Sequence, residues 1–250
     1  MPRCLVGTSG WRYGWNPDGL EWYVAHSGLD AVEVNSTFYR LPPPSMVERW
    51  ARAGSSIAWA VKIHRRVSHV HRLNEKALRY WRLFRSRLEP LDEAAAFYLL
   101  QLPPGFDARR DHVERLRRFA REAGLGWRLA VEYRHPSWWL GGAPGRGLAV
   151  EEGFTLVSVD APEPVGTVMW RSGPRAYLRL HGRSSWYSHD YSRGELEELA
   201  RMLLGLGSGE NYVFFNNDHA MLANAREMKS ILAGLGCGSS GGRASSVARP

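Results

Sequence analysis

Four pairs of polar side chains stand two residues apart, each near the end of a β-rich run: Glu33 with Asn35, Lys62 with His64, Glu132 with Arg134, and Arg179 with His181. Residues i and i+2 of a strand share a face, so each pair presents both members to the same side. Carboxylates, an imidazole and an amine gathered together are the materials of general acid–base chemistry. Glu33, Lys62, Glu132 and His181 are therefore the candidate catalytic residues. Composition singles out Lys62, because 30 of the 33 basic residues are arginine and the only other lysines are Lys76 and Lys229. Arginine stays protonated, whereas a buried lysine can release its proton or form a Schiff base. The plainer alternative is a lysine that neutralises Glu33 or Glu132.

Further polar residues close the other runs: Thr8 and Ser9, Gln101, Asp160, and Asn216, Asn217 and Asp218. The segments that follow are aromatic and basic, with Trp11, Tyr39, Trp138, Trp186 and Arg183 among them. Flat rings beside cations suit a sugar, a nucleotide or an exposed base, and arginine suits phosphate. Asn35, Arg134, Asp160, Arg179, Arg183, Trp11, Tyr39, Trp138, Trp186, Asn216, Asn217 and Asp218 are accordingly the expected substrate-binding residues. Glu33 and Glu132 with Asp160, His181 or His64 offer another use, as ligands of a divalent cation. No metal-ligand spacing occurs locally, so no residue is assigned to a metal and no cofactor is specified.

The elements that must position these residues are eight short apolar or β-rich runs, at 4–7, 31–36, 58–63, 95–102, 127–133, 154–160, 176–182 and 211–217. They recur at roughly thirty-residue intervals, the repeat of βα units, and eight such units close a barrel. An α/β fold follows, a single (β/α)8 TIM-type barrel over residues 1–233, with its site at the carboxyl ends of the strands. Helices between the runs carry start signals. Ser45 with Glu48 and Ser192 with Glu195 have the capping-box spacing, and Leu78, Trp81 and Phe84 mark one buried helix face. The connections after the fifth and sixth strands are irregular: Gly141 to Gly147 reads as a loop, and Pro162 and Pro164 argue against a helix after the sixth strand. From residue 234 to 250 the chain has little to bury and reads as a disordered tail. A doubly wound open sheet is the competing architecture, but no glycine-rich dinucleotide fingerprint follows the first run.

The 250 residues carry 44% hydrophobic side chains and a formal charge of +8. Much of the arginine falls on helix faces, as between residues 108 and 119, where solvated charge is the default; an anionic partner such as nucleic acid is the alternative. No run has the roughly 20 apolar residues that cross a bilayer, and no membrane partner is expected. Cys4 and Cys237 lie at opposite ends, one in a strand and one in the expected tail, so they suggest neither a disulfide nor a zinc site. With no secretory signal visible, a cytoplasmic protein is expected. Oligomeric state is not legible.

Several longer motifs coincide with these strand ends: GTSGW at 7–11, VEVNSTFYRLP at 32–42, AVK at 60–62, SH at 68–69, QLPP at 101–104, VEYRH at 131–135 with Trp138, RLHG at 179–182, and FNND at 215–218 with Asn224 and Ala225. In this order they resemble the YecE-like family, the domain-of-unknown-function family numbered 72, from about residue 4 to residue 232. The resemblance implies a TIM-type barrel grouped with sugar isomerase-like and endonuclease IV-like barrels. Those enzymes use sets of His, Glu and Asp metal ligands, of which this sequence has no clear copy. On the residues alone, the expected function is an enzyme of the hydrolase or isomerase class, without metal dependence, acting on a small anionic (phosphorylated) sugar or nucleotide. The alternative is a nucleic-acid-binding or processing protein that seats an exposed base in the aromatic, basic mouth.

Overall fold

The computed structural model describes residues 1–140 and 144–239. Eight parallel strands form the barrel: β1 (Arg3–Ser9), β2 (Ala31–Val34), β3 (Ala58–Lys62), β4 (Ala95–Gln101), β5 (Leu129–Glu132), β6 (Thr155–Asp160), β8 (Arg175–Leu180) and β9 (Glu210–Phe215). Their order is β5-β4-β3-β2-β1-β9-β8-β6, and pairing of β5 with β6 closes the ring. A two-residue strand, β7 (Thr167–Val168), pairs antiparallel with β6 and stands where a helix is otherwise expected. The sequence-predicted barrel and its irregular sixth connection are thus found.

Around the ring lie α1 (Gly19–His26), α2 (Ser36–Tyr39), α3 (Pro44–Ala53), α4 (Glu75–Arg87), α5 (Arg110–Ala123), α6 (Gly145–Glu152), α7 (Arg193–Gly205) and α8 (Met221–Gly234). The amphipathic spacing does its work in α4, which buries Leu78, Trp81 and Phe84 against the barrel, with Asn74 Oδ1 capping the amides of Lys76 and Ala77. At α7 the Ser192 and Glu195 side chains and backbone amides satisfy one another reciprocally. The expected box at Ser45 and Glu48 does not form, because α3 starts two residues earlier, with Pro43 and not Ser45 as its N-cap. Pro44 occupies its first turn, needing no amide partner and bringing a helical φ. Gly145 to Gly147, expected in a loop, instead form the first turn of α6, held by Leu148 donating to the Pro144 carbonyl. Residues 141–143 lie outside the described residues.

A third correction concerns the cysteines. The chain past α8 folds back so that Cys237, 1% exposed, is bonded to Cys4 in β1. The expected tail therefore does not begin at 234; residues 240–250 lie outside the described residues. A sequence separation of 233 residues hid this pairing, because a closed barrel brings its first and last strands side by side. No helix among the described residues is long and apolar enough to cross a membrane.

Inside the ring, large and small residues interlock. Phe97, Tyr177, Tyr212 and Phe214 are packed with centroids 4.9 Å apart at each contact. Ala31, Ala60 and Ala130 leave room for these rings. This aromatic layer is the floor on which the polar mouth stands. Gly7 sits where β1 and β2 approach closely: a Cβ there would lie 2.2 Å from the Ala31 carbonyl oxygen. Gly7→Ala should therefore destabilise the barrel by about 2 kcal/mol or more, read as a lower urea midpoint with an unchanged slope. A midpoint within error of the parent would contradict the crowding.

Candidate active site

Strand parity aims one set of side chains into the mouth. Ser9, Glu33, Lys62, Glu132, Tyr177, Arg179 and His181 share the inward register. At the centre lies the Arg179 guanidinium, 1% exposed, which donates from one Nη to Glu33 (2.7 Å) and from the other to Glu132 (2.5 Å). Glu33 also accepts from Ser9 Oγ (2.8 Å), Asn35 Nδ2 (2.9 Å) and Tyr177 OH (2.6 Å). Glu132 is also ion-paired with Arg134. Burial alone would raise both carboxyl groups, but the adjacent guanidiniums outweigh it and hold both below the usual carboxylate range. Arg179 in turn is raised: the two carboxylates outweigh the burial that would lower it.

His181 is fully buried and lies within 3.9 Å of Glu132. Burial, followed by Arg179, pushes its pKa well below the ordinary value, so the ring is neutral. Asn216 Nδ2 lies 3.2 Å from its Nδ1 and an Arg134 Nη lies 3.4 Å from its Nε2; both are donors, so the neutral ring accepts from one of them and turns its own N–H towards the other. Gly182 follows with φ at +105°, and a Cβ there would meet the Ser185 carbonyl oxygen at 2.5 Å, so glycine is required for the turn that brings the next loop back over His181. Trp186 of that loop lies 5.4 Å from the imidazole and 5.2 Å from the Arg134 guanidinium.

Lys62 stands apart from this network. Its ammonium lies 4.5 Å over the Phe38 ring and, among the described residues, has no hydrogen-bond or ion-pair partner. Burial and then Arg179 lower its pKa to about 8, against the opposing pull of Glu132 and Glu33. Beside it His69, on a π-helical turn (Arg66–Val70), bonds Ser68 Oγ through Nδ1 at 2.8 Å. Two carboxylates thus face three cations, Lys62, Arg134 and Arg179, and one positive charge is left in excess.

Residues 5–240 match the family described as protein of unknown function DUF72. The chain belongs to this family. It is 31% identical over 128 residues to the UPF0759 protein YecE of Escherichia coli K12, a match covering 49% of this chain and 44% of that protein, less than half its length. A DUF72 family protein from Thermotoga maritima is similar in structure, with a TM-score of 0.79 at 30% identity, over 92% of this chain and 99% of that one. A D-psicose 3-epimerase aligns at TM-score 0.58 and 14% identity over 93% and 99% of the two chains, a likeness of fold alone.

Of the residues expected at this DUF72 site, the structure brings together Glu33, Asn35, Lys62, Glu132, Arg134, Arg179, His181 and Asn216, with Trp186 above. It does not bring the others there. Asp160 follows the inward-facing Val159 and turns outward, accepting from Tyr191 OH (2.7 Å) and Arg183 Nε (3.1 Å). Arg183 is committed to Asp160 and Glu198. Asn217, also of outward parity, bonds Asn224 (2.7 Å) and the His189 carbonyl (2.8 Å). Trp138 is wholly buried, stacked 4.6 Å from Tyr133 and donating to the Phe106 carbonyl, so it has no face for a ligand. Tyr39 is exposed outside the centre, Asp218 lies beside Tyr13, and Trp11 packs edge-on against Trp50 and Trp59. His64 packs against Tyr80, away from Lys62.

The fold grouping implies a metal, and the residues do not fit one. Among the described residues no three His, Cys, Asp or Glu side chains gather to hold a cation. The two glutamates already share a guanidinium, while Asp160 and His64 point elsewhere. Sequence reasoning passes over Tyr177, although its place two residues before Arg179 is the signal that it shares the inward face.

Burial, followed by Lys62, Arg65 and Arg134, lowers His69 to about 4. Between pH ~6.5 and ~4 the unfolded chain then binds more protons than the folded one, so stability must fall as pH drops through that window. His69→Gln should flatten this limb of a urea-derived stability curve, whereas an unchanged slope would show that His69 is not held neutral.

Proposed function

We propose that the protein is an enzyme of the isomerase or hydrolase class that acts on an anionic, phosphorylated sugar or nucleotide, with Lys62 as the proton carrier. The observation that carries this reading is the state of Lys62: an ammonium at the mouth, without an acceptor, held at a pKa of about 8 by burial and neighbouring cations. Near pH 7 about a tenth of such amines are neutral, enough to accept a proton from a bound substrate and return it. Glu33 and Glu132 are held as carboxylates, so their part is to stabilise the ammonium once formed. The excess positive charge favours an anion. Arg134 donates to the oxygen on which negative charge develops. This division of labour narrows the expectation that Glu33, Glu132 and His181 all move protons.

The test is a panel of pentose and hexose phosphates and nucleotides incubated in D2O and followed by proton NMR. Single-stranded oligonucleotides belong in the same panel, because Trp186, 37% exposed above Arg134, offers a ring to an unstacked base. Turnover of a panel member should rise through pH ~8 and be lost in Lys62→Arg, which keeps the charge but cannot release it. A Lys62→Arg enzyme with parental turnover would sink the role given to Lys62, and a panel with no reacting member would sink the substrate class.

A further inference from the structure

A cleft of about 870 Å³ opens beside the mouth, between the segment joining β1 to α1 and the segment joining β2 to α3. Its inner end is formed by Ser9 and Asn35, the two residues that donate to the same oxygen of Glu33. The cleft therefore shares two wall residues with the carboxylate–guanidinium centre. Asn35 Oδ1 is buried there with no hydrogen-bond partner, an acceptor left open at the junction. Further out, Arg12, Arg40 and Arg49 line the walls. All three are exposed, and among the described residues none is in an ion pair or side-chain hydrogen bond. Arginines without a partner among the described residues occur elsewhere on this surface, as at Arg52 and Arg79; what sets these three apart is that they line one cleft. Asp18 and Glu21 stand on the α1 side of the cleft, where carboxylates would accept from hydroxyl groups.

We propose that this cleft is a second subsite, which holds the distal part of a substrate longer than a single sugar: a phosphate or diphosphate on Arg12, Arg40 and Arg49, linked to a hydroxyl-rich ring. The proposal rests on the functional reading above and extends it to substrate class. A volume of this size is far more than one monosaccharide fills and is at the upper end of small-molecule sites. Guanidiniums without partners match phosphate oxygens in charge and fork geometry. The open Asn35 acceptor takes a hydroxyl where the ligand crosses from the cleft to the centre.

The experiment is titration calorimetry with UDP-glucose, inorganic pyrophosphate and glucose as probes, on the parent, on Arg40→Ala/Arg49→Ala and on Arg79→Ala, an exposed arginine of α4 outside the cleft. The arginines are exposed and make no contact that folding requires. UDP-glucose and pyrophosphate should bind the parent, and the double arginine variant should bind both about tenfold more weakly or worse. Arg79→Ala should bind within about threefold of the parent, and glucose alone should show no dependence on the arginines. Equal affinity in the double variant, or failure of both phosphate probes to bind the parent, overturns the subsite. Binding is read without turnover, so the two proposals fail separately. Arginine-dependent binding with an active Lys62→Arg enzyme would leave the cleft standing and remove the lysine mechanism.

Discussion

The mouth of this barrel depends on one buried interaction, the Arg179 guanidinium shared between Glu33 and Glu132. Two carboxylates fully withdrawn from water are tolerable only if paired and hydrogen-bonded. A single planar fork reaches both because β5 is separated from β8 by one strand on one side and β2 by two strands on the other, within the span of the long Arg179 side chain. Once the carboxylates are fixed as anions, their remaining partners follow. Ser9, Asn35 and Tyr177 complete Glu33, while Arg134 completes Glu132 and carries Trp186 over the opening. The same guanidinium helps depress both Lys62 and His181, so the protonation state of the two groups at the mouth is set by the residue beneath them.

Much of this was legible in the sequence, for a definite reason. Buried parallel strands read as short apolar runs, and a polar residue at the end of such a run has little other explanation. The i, i+2 spacing picked out Glu33 with Asn35, Glu132 with Arg134, and Arg179 with His181. Applied one step further, the same parity would have rejected Asp160 and Asn217, each adjacent to an inward-facing residue, and would have found Tyr177. Lys62 and His64 show the limit of the rule: β3 ends at Lys62, and once the chain leaves the strand, alternation no longer fixes direction. The disulfide and Trp138 were not legible, since both depend on distant segments that only the closed fold brings together.

Charge divides between two uses. Along α5 the arginines face solvent and pair with Asp111, Glu114, Glu151 and Glu152, as the pattern of that helix predicts. Around the mouth and its adjoining cleft the cations outnumber the carboxylates, and Lys62, Arg12, Arg40 and Arg49 have no anionic partner among the described residues. A net charge of +8 is therefore a poor guide by itself. What bears on function is where the compensating acids are missing.

The most direct test of this account is the unfolding free energy of Arg179→Met beside that of the triple variant Glu33→Gln/Glu132→Gln/Arg179→Met, measured in urea at pH 7. Removing the guanidinium alone leaves two buried carboxylates uncompensated and should cost about 3–5 kcal/mol. Neutralising the carboxylates as well should return most of that loss. An Arg179→Met protein as stable as the parent, or a triple variant no better than the single, would contradict the central place given to Arg179.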